Sequence, residues 1–279
     1  MIRTRLRDLA RRSSLALQAF RDAPLSGQPT SSFEPDSSFV PSSETLFDCS
    51  EAEEVRWNRE WLRYLEREWP QQLRRYTALS GKPALTDDPQ GALSLKVGGD
   101  PLRIFASKDD LQAKNVMELG CGCGNLGKLL GRYVRTYLGV DYSSIALVVA
   151  RLVTPENCEF VHVGDRTSLQ KHFGAIDTVV SRFFWIHQNA RQARRNLEFL
   201  GHFVRPEGKL LADFFTKSAG KTHFKVFAAT DELSSEYPSA QFHYEVPDIE
   251  ACLVGSGFEL ERIDTAAGWE RTFATLRKT

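Results

Sequence analysis

Val116-Met117-Glu118-Leu119-Gly120-Cys121-Gly122-Cys123-Gly124-Asn125-Leu126-Gly127 reads as a short apolar strand running into a glycine loop and then into a helix over 126–133. The same alternation continues downstream. Strands are expected at 136–140, 160–163, 178–183 and 209–215, with helices at 144–152 and 190–203. Strands that alternate with helical stretches of this length specify a doubly wound α/β sheet whose strands are mostly parallel. Right-handed crossovers then gather the carboxyl ends of those strands on one edge, where ligands collect. A helix at 249–255 and two closing strands at 258–263 and 271–276 follow, joined by a return at Ala266-Ala267-Gly268.

The glycine loop contains the string G-x-G-x-x-G at Gly122, Gly124 and Gly127. Alone that string is weak, and the charge around it decides what it binds. A pyrophosphate needs backbone N–H groups and a helix N-terminus free of negative charge. Glu118 stands two residues before the first glycine of the loop. At about 5 Å a carboxylate and an anion repel by roughly 3 kcal/mol for an effective dielectric near 20. The same carboxylate favours a cationic ligand. Asp141 ends the second strand, at the spacing of a residue that binds a ribose hydroxyl pair. Asp165 ends the third strand, where it suits an exocyclic amine of a purine. Adenine, ribose and a positively charged tail together describe S-adenosylmethionine rather than a nicotinamide dinucleotide.

These residues resemble the class I S-adenosylmethionine-dependent methyltransferases over 112–279, about 60% of the chain. The likeness rests on the acid and glycine loop, on Asp141 and Asp165, on Arg205-Pro206-Glu207-Gly208 before the fifth strand, and on Gly255-Ser256-Gly257-Phe258 before the last two. It implies a Rossmann-like, seven-stranded sheet with an antiparallel last strand. It implies a cofactor site built from Glu118, Gly120, Gly122, Gly124, Asp141, Tyr142, Asp165, Arg166 and Arg182. The acceptor stays open, because the family methylates chemically diverse partners.

Methyl transfer from a sulfonium is an in-line displacement, and an alcohol nucleophile also needs a base. The segment after the fourth strand, Ser181-Arg182-Phe183-Phe184-Trp185-Ile186-His187-Gln188, faces the methyl group in this fold. His187 is its one group whose ordinary titration lies near neutral pH, so it is the expected general base. Phe184 and Trp185 are expected to wall the adenine or the acceptor, with Asp213 on the acceptor side. His223 and His243 fall in a variable stretch over 216–246 and read as structural. No Asn-Pro-Pro-Tyr or Asp-Pro-Pro-Tyr follows the fourth strand, which disfavours amino methylation of nucleic-acid bases or protein glutamine. The leading expectation is O-methylation of a small molecule or glycan. The alternatives are a protein or RNA methyltransferase and a catalytically silent, cofactor-binding partner subunit.

The first 111 residues read differently. Residues 1–45 combine an Arg-rich amphipathic helix over 2–20, suited to peripheral membrane contact, with a Pro- and Ser-rich linker over 23–45. Residues 46–111 form an expected helical lid, with Trp57, Trp61, Leu65 and Trp69 on one face of a helix over 50–69.

The chain of 279 residues carries 36 basic and 36 acidic side chains, which argues against wholesale nucleic-acid binding. It has no apolar run long enough for a membrane-spanning helix. Five scattered cysteines suit a reducing compartment, with the cytoplasm as the expected location. Cys121 and Cys123 lack the partners of a metal set, and no metal is expected. Oligomeric state is left open.

Overall fold

The computed structural model describes residues 53–66, 96–97, 100–101, 106–131, 133–216, 225–233, 241–265 and 271–279. All of them belong to one compact unit, Glu44–Thr279. The expected helix over 2–20, the linker over 23–45, Trp69, His223 and the return at 266–268 lie outside the described residues.

Helix α1 spans 53–66. A two-residue hairpin, β1 (Lys96–Val97) and β2 (Asp100–Pro101), and a short helix α2 (Lys108–Leu111) precede the main sheet. There follow β3 (Asn115–Leu119), α3 (Asn125–Leu130), β4 (Thr136–Asp141), α4 (Ser144–Val153), β5 (Cys158–His162), α5 (Arg166–Gln170) and β6 (Ile176–Ser181). A 3-10 turn, Trp185–His187, leads into α6 (Ala190–Phe203) and the long β7 (Val204–Phe215). The stretch that the sequence left irregular holds a small parallel pair, β8 (Val226–Ala228) and β9 (Gln241–His243). The chain then forms α7 (Val246–Leu253), β10 (Phe258–Thr265) and β11 (Arg271–Lys278).

The seven-stranded sheet has the order β10-β11-β7-β6-β3-β4-β5. Strands β3 to β7 pair in parallel, and β11 runs antiparallel to both neighbours, β7 and β10. This is a Rossmann-like seven-stranded sheet, with the expected reversal of the last strand. Because β3 is followed by β4 on one side and flanked by β6 on the other, the order reverses at β3. A crevice opens between the ends of β3 and β6, the place where open α/β sheets bind ligands.

Local chemistry sets these elements. Helix α6 starts in a reciprocal capping box, in which Asn189 Oδ1 accepts from Gln192 N–H and Gln192 Oε1 accepts from Asn189 N–H. Its buried residues Ala193, Asn196, Leu197, Leu200 and Phe203 recur at helical spacing, so one stripe packs on the sheet. Ser143 caps α4 by accepting from Ala146 N–H at 3.1 Å. The sheet is covered on both faces, and the central strands are buried almost throughout, as a parallel sheet requires.

Candidate active site

The loop between β3 and α3 is folded by hydrogen bonds to the end of β4. Gly120 and Cys121 N–H both donate to the Val140 carbonyl, at 2.8 and 3.1 Å. Asp141 then closes the loop, because one carboxylate oxygen accepts from Gly122 N–H and the other from Ser143 N–H, each at 2.8 Å. Burial pushes the Asp141 pKa up, while those two N–H groups favour its charged form. Gly122 adopts φ +50°, and a Cβ there would meet Trp61 Cζ2 at 2.3 Å. Only glycine satisfies both the left-handed backbone and the close approach.

Glu118 ends β3 only 5% exposed. Its Oε2 accepts a hydrogen bond from the buried Tyr137 hydroxyl. Loss of hydration on burial pushes the Glu118 pKa up to about 8. This revises the sequence expectation of a fixed negative charge, because the carboxyl is poised to ionise rather than already ionised at neutral pH.

Helix α1 lies over this loop. Trp61 and Leu65 pack with Cys123, Ala146, Ile145 and Val149. Asn58 reaches the N-terminus of α4, where its Oδ1 accepts from Ser143 Oγ at 2.7 Å and from Ile145 N–H at 3.3 Å, and its Nδ2 donates to Ser144 Oγ at 3.1 Å. His162 Nε2 stands 2.9 Å from the Tyr142 carbonyl and 3.7 Å from Glu54. The result is a cavity of about 250 Å³ roofed by Trp57 and Trp61, which also exposes Glu118, Gly120, Gly122, Asp141, Tyr142, Arg182, Phe183, Phe184 and His187.

Residues 116–208 match the family model of a methyltransferase domain. This third of the chain is similar to a methyltransferase domain. The cofactor of such a domain is S-adenosylmethionine, and the buried acids at the ends of β3 and β4 fit it. No curated protein sequence matches the chain. Among solved structures, it is similar to magnesium protoporphyrin IX methyltransferase from Synechocystis PCC 6803 with bound SAH, at 18% identity over 61% of this chain and 77% of that one, TM-score 0.44. It is also similar to a SAM-dependent methyltransferase from Methanosarcina mazei, at 17% identity over 61% and 95%, TM-score 0.46. A third similar structure is a TehB-like SAM-dependent methyltransferase from Corynebacterium glutamicum, at 16% identity over 76% and 97%, TM-score 0.44.

The cavity gathers most of the expected residues and leaves some outside. Glu118, Gly120, Gly122, Asp141, Tyr142, Arg182, Phe184 and His187 all line the cavity. Gly124 stands behind them as the left-handed N-cap of α3. Asp165 and Arg166 are exposed and do not line it. Asp165 instead caps α5, accepting from Ser168 N–H at 3.1 Å, and this bond holds its pKa low. Trp185 does not line the cavity. It is fully buried, 5.4 Å from both the Phe184 and Phe214 rings, because the 3-10 turn points it into the core. Asp213 is also withdrawn from the cavity, accepting from Phe183 N–H at 2.8 Å and from Arg271 at 3.0 Å. It therefore positions Phe183, which lines the cavity at φ +55° with the Arg271 guanidinium 3.6 Å over its ring. Among the described residues no cluster could hold a metal ion.

Sequence reasoning missed Asn58, Tyr137 and Phe183. Asn58 was detectable only as a polar residue beside the Trp57–Trp61 face. Asn58→Ala is expected to weaken binding of S-adenosylmethionine about tenfold, since losing bonds worth about 1 kcal/mol each loosens α1 over the loop. Isothermal titration of the variant measures this, and an unchanged affinity would show that α1 plays no part in holding the cofactor.

Proposed function

We propose that this chain transfers a methyl group from S-adenosylmethionine to a hydroxyl of a small-molecule or glycan acceptor, with His187 as general base. The observation that carries this reading is the continuity of one cavity from Glu118 and Asp141 to His187. When bound, the cofactor supplies an electrophilic methyl group on a sulfonium. Asp141 would hold the ribose hydroxyls. Glu118 and Arg182 set an acid beside a base, a match for a zwitterionic amino-acid tail. Trp57, Phe183 and Phe184 offer ring faces to an apolar or sugar ring, and His187 stands 5.5 Å from Trp57, centroid to centroid. His187 would take the hydroxyl proton as the oxygen attacks. The roof formed by α1 and the neutral overall charge support a small acceptor over a protein or RNA strand.

Calorimetry with S-adenosylmethionine, its demethylated product and NAD tests the cofactor side. The first two should bind, and NAD should not. A screen of hydroxyl acceptors with labelled donor, read by the mass shift of one methyl, tests the acceptor side. Label found on nitrogen, or in a protein or RNA fraction, would overturn the acceptor class. A chain that binds the cofactor yet never turns over across the whole screen would favour the silent subunit.

A further inference from the structure

We propose that Tyr137 and Glu118 form a proton-holding pair that couples entry of the cationic cofactor to release of one proton. The inference rests on the reading of the cavity as the S-adenosylmethionine site.

The two residues come from adjacent parallel strands, with Glu118 in register opposite Gly139 and Val116 opposite Tyr137. Tyr137 is buried, and its ring lies 6.0 Å from that of Phe160. On its other side a Cβ at Gly127 would come within 2.7 Å of it, so the ring is clamped and its hydroxyl fixed. That hydroxyl donates to Glu118 Oε2. Glu118 is thus a cavity-lining carboxyl with almost no contact with water.

Four groups face it. From β4 come the Tyr137 hydroxyl and, at the strand's end, the Asp141 carboxylate. The glycine loop contributes the Cys121 thiol. The segment after β6 contributes the Arg182 guanidinium. Arg182 and Tyr137 favour the ionised carboxylate, Asp141 opposes it, and burial outweighs them all in the free protein. The cofactor's sulfonium and ammonium outnumber its one carboxylate, so its entry adds a net positive charge beside this carboxyl. In a medium of low dielectric that is sufficient to reverse the balance. The step balances simply: the carboxyl becomes a carboxylate, and its proton passes to the buffer.

The sign of the pH dependence follows. Below the free-protein value of about 8 the carboxyl must lose its proton for the cation to bind. Affinity therefore rises with pH, by up to about tenfold per unit, and levels off above that value. Asp141 differs in that its carboxylate accepts two backbone N–H bonds, which favour the charged form against the burial that pushes its pKa up.

Isothermal titration of S-adenosylmethionine in two buffers of different ionisation enthalpy, at pH 6.5 and pH 9, counts the protons released. The cofactor's own amino group titrates in this range, so Glu118→Gln serves as the reference. The wild type should release close to one more proton than Glu118→Gln at pH 6.5, and none in excess at pH 9. Tyr137→Phe keeps the ring packing and the buried carboxyl but loses a bond that stabilises the carboxylate. Its release should therefore persist to higher pH. Adenosine, which carries no cation, should release none. Wild-type binding of S-adenosylmethionine with no excess release at pH 6.5 would overturn the pair while leaving the cofactor reading intact. Absence of binding at every pH would overturn both.

Discussion

His187→Gln is expected to lower kcat by about 10²–10⁴-fold, the range ordinarily contributed by a positioned general base, while leaving S-adenosylmethionine affinity within about twofold. Glutamine approximates the imidazole's size and polarity but takes up no proton near neutral pH. The substitution therefore separates basicity from shape. The site supports a precise placement. His187 closes the 3-10 turn, and its N–H donates to the Phe184 carbonyl at 3.0 Å. The next residue is anchored twice, since the Gln188 carbonyl accepts from the Tyr244 hydroxyl at 2.6 Å and Gln188 Oε1 accepts from Asn196 at 3.0 Å. Edge-on contact with Trp57 restrains the ring from the α1 side. Steady-state and single-turnover rates with the acceptor found by screening check the expectation. A variant with wild-type kcat would remove His187 from the chemistry. A variant that lost cofactor binding instead would place it among the cofactor contacts.

The legibility of the fold and the obscurity of parts of the site have the same physical origin. Strand–helix alternation and the glycine loop are local properties, so the succession of elements and the parallel core were visible in the sequence, whereas the strand order was not. The reversal of β11 came with the family likeness. Strand β7 begins at Val204, five residues before the expected Lys209, and takes in residues 205–208. Most strand ends moved by only a residue or two, as at β5, which begins at Cys158 rather than Phe160. Edges are set by pairing with β4, and the sequence does not contain that pairing. Placement in the cavity was legible where chain position alone fixes it, as for Glu118, Gly122 and Asp141. The site was illegible where a partner lies far along the chain. Asn58 bonds to serines more than eighty residues away, and the ionisation of Glu118 depends on burial by the whole sheet. Asp165 shows the opposite failure. The strand expected to end there stops at His162, and the start of α5 takes the Asp165 carboxylate for capping.

Trp185→Ala is expected to destabilise the domain by about 3–5 kcal/mol, the ordinary cost of emptying a buried aromatic site, and to lower Tm by about 6–20 °C for a domain of this size. Three aromatic residues follow β6 in a row, and their chemistry alone does not say which of them faces a ligand. The turn geometry does. Phe183 and Phe184 reach the cavity, whereas Trp185 has no exposed surface and belongs to the same core as Phe214, Phe199 and Leu197. Its indole N–H is buried with no hydrogen-bond partner among the described residues, so the ring is held by packing and not by polar anchoring. Trp185→Phe should therefore cost less than about half as much, because removing an unbonded buried donor offsets part of the lost contact area. Thermal unfolding of the two variants, paired with acceptor KM, separates a core role from a ligand-facing one. A fall in Tm with KM unchanged at permissive temperature fits the core role. A Trp185→Ala enzyme with wild-type Tm and a raised acceptor KM would return Trp185 to the acceptor wall, and the 3-10 turn would then have to present its ring to the cavity.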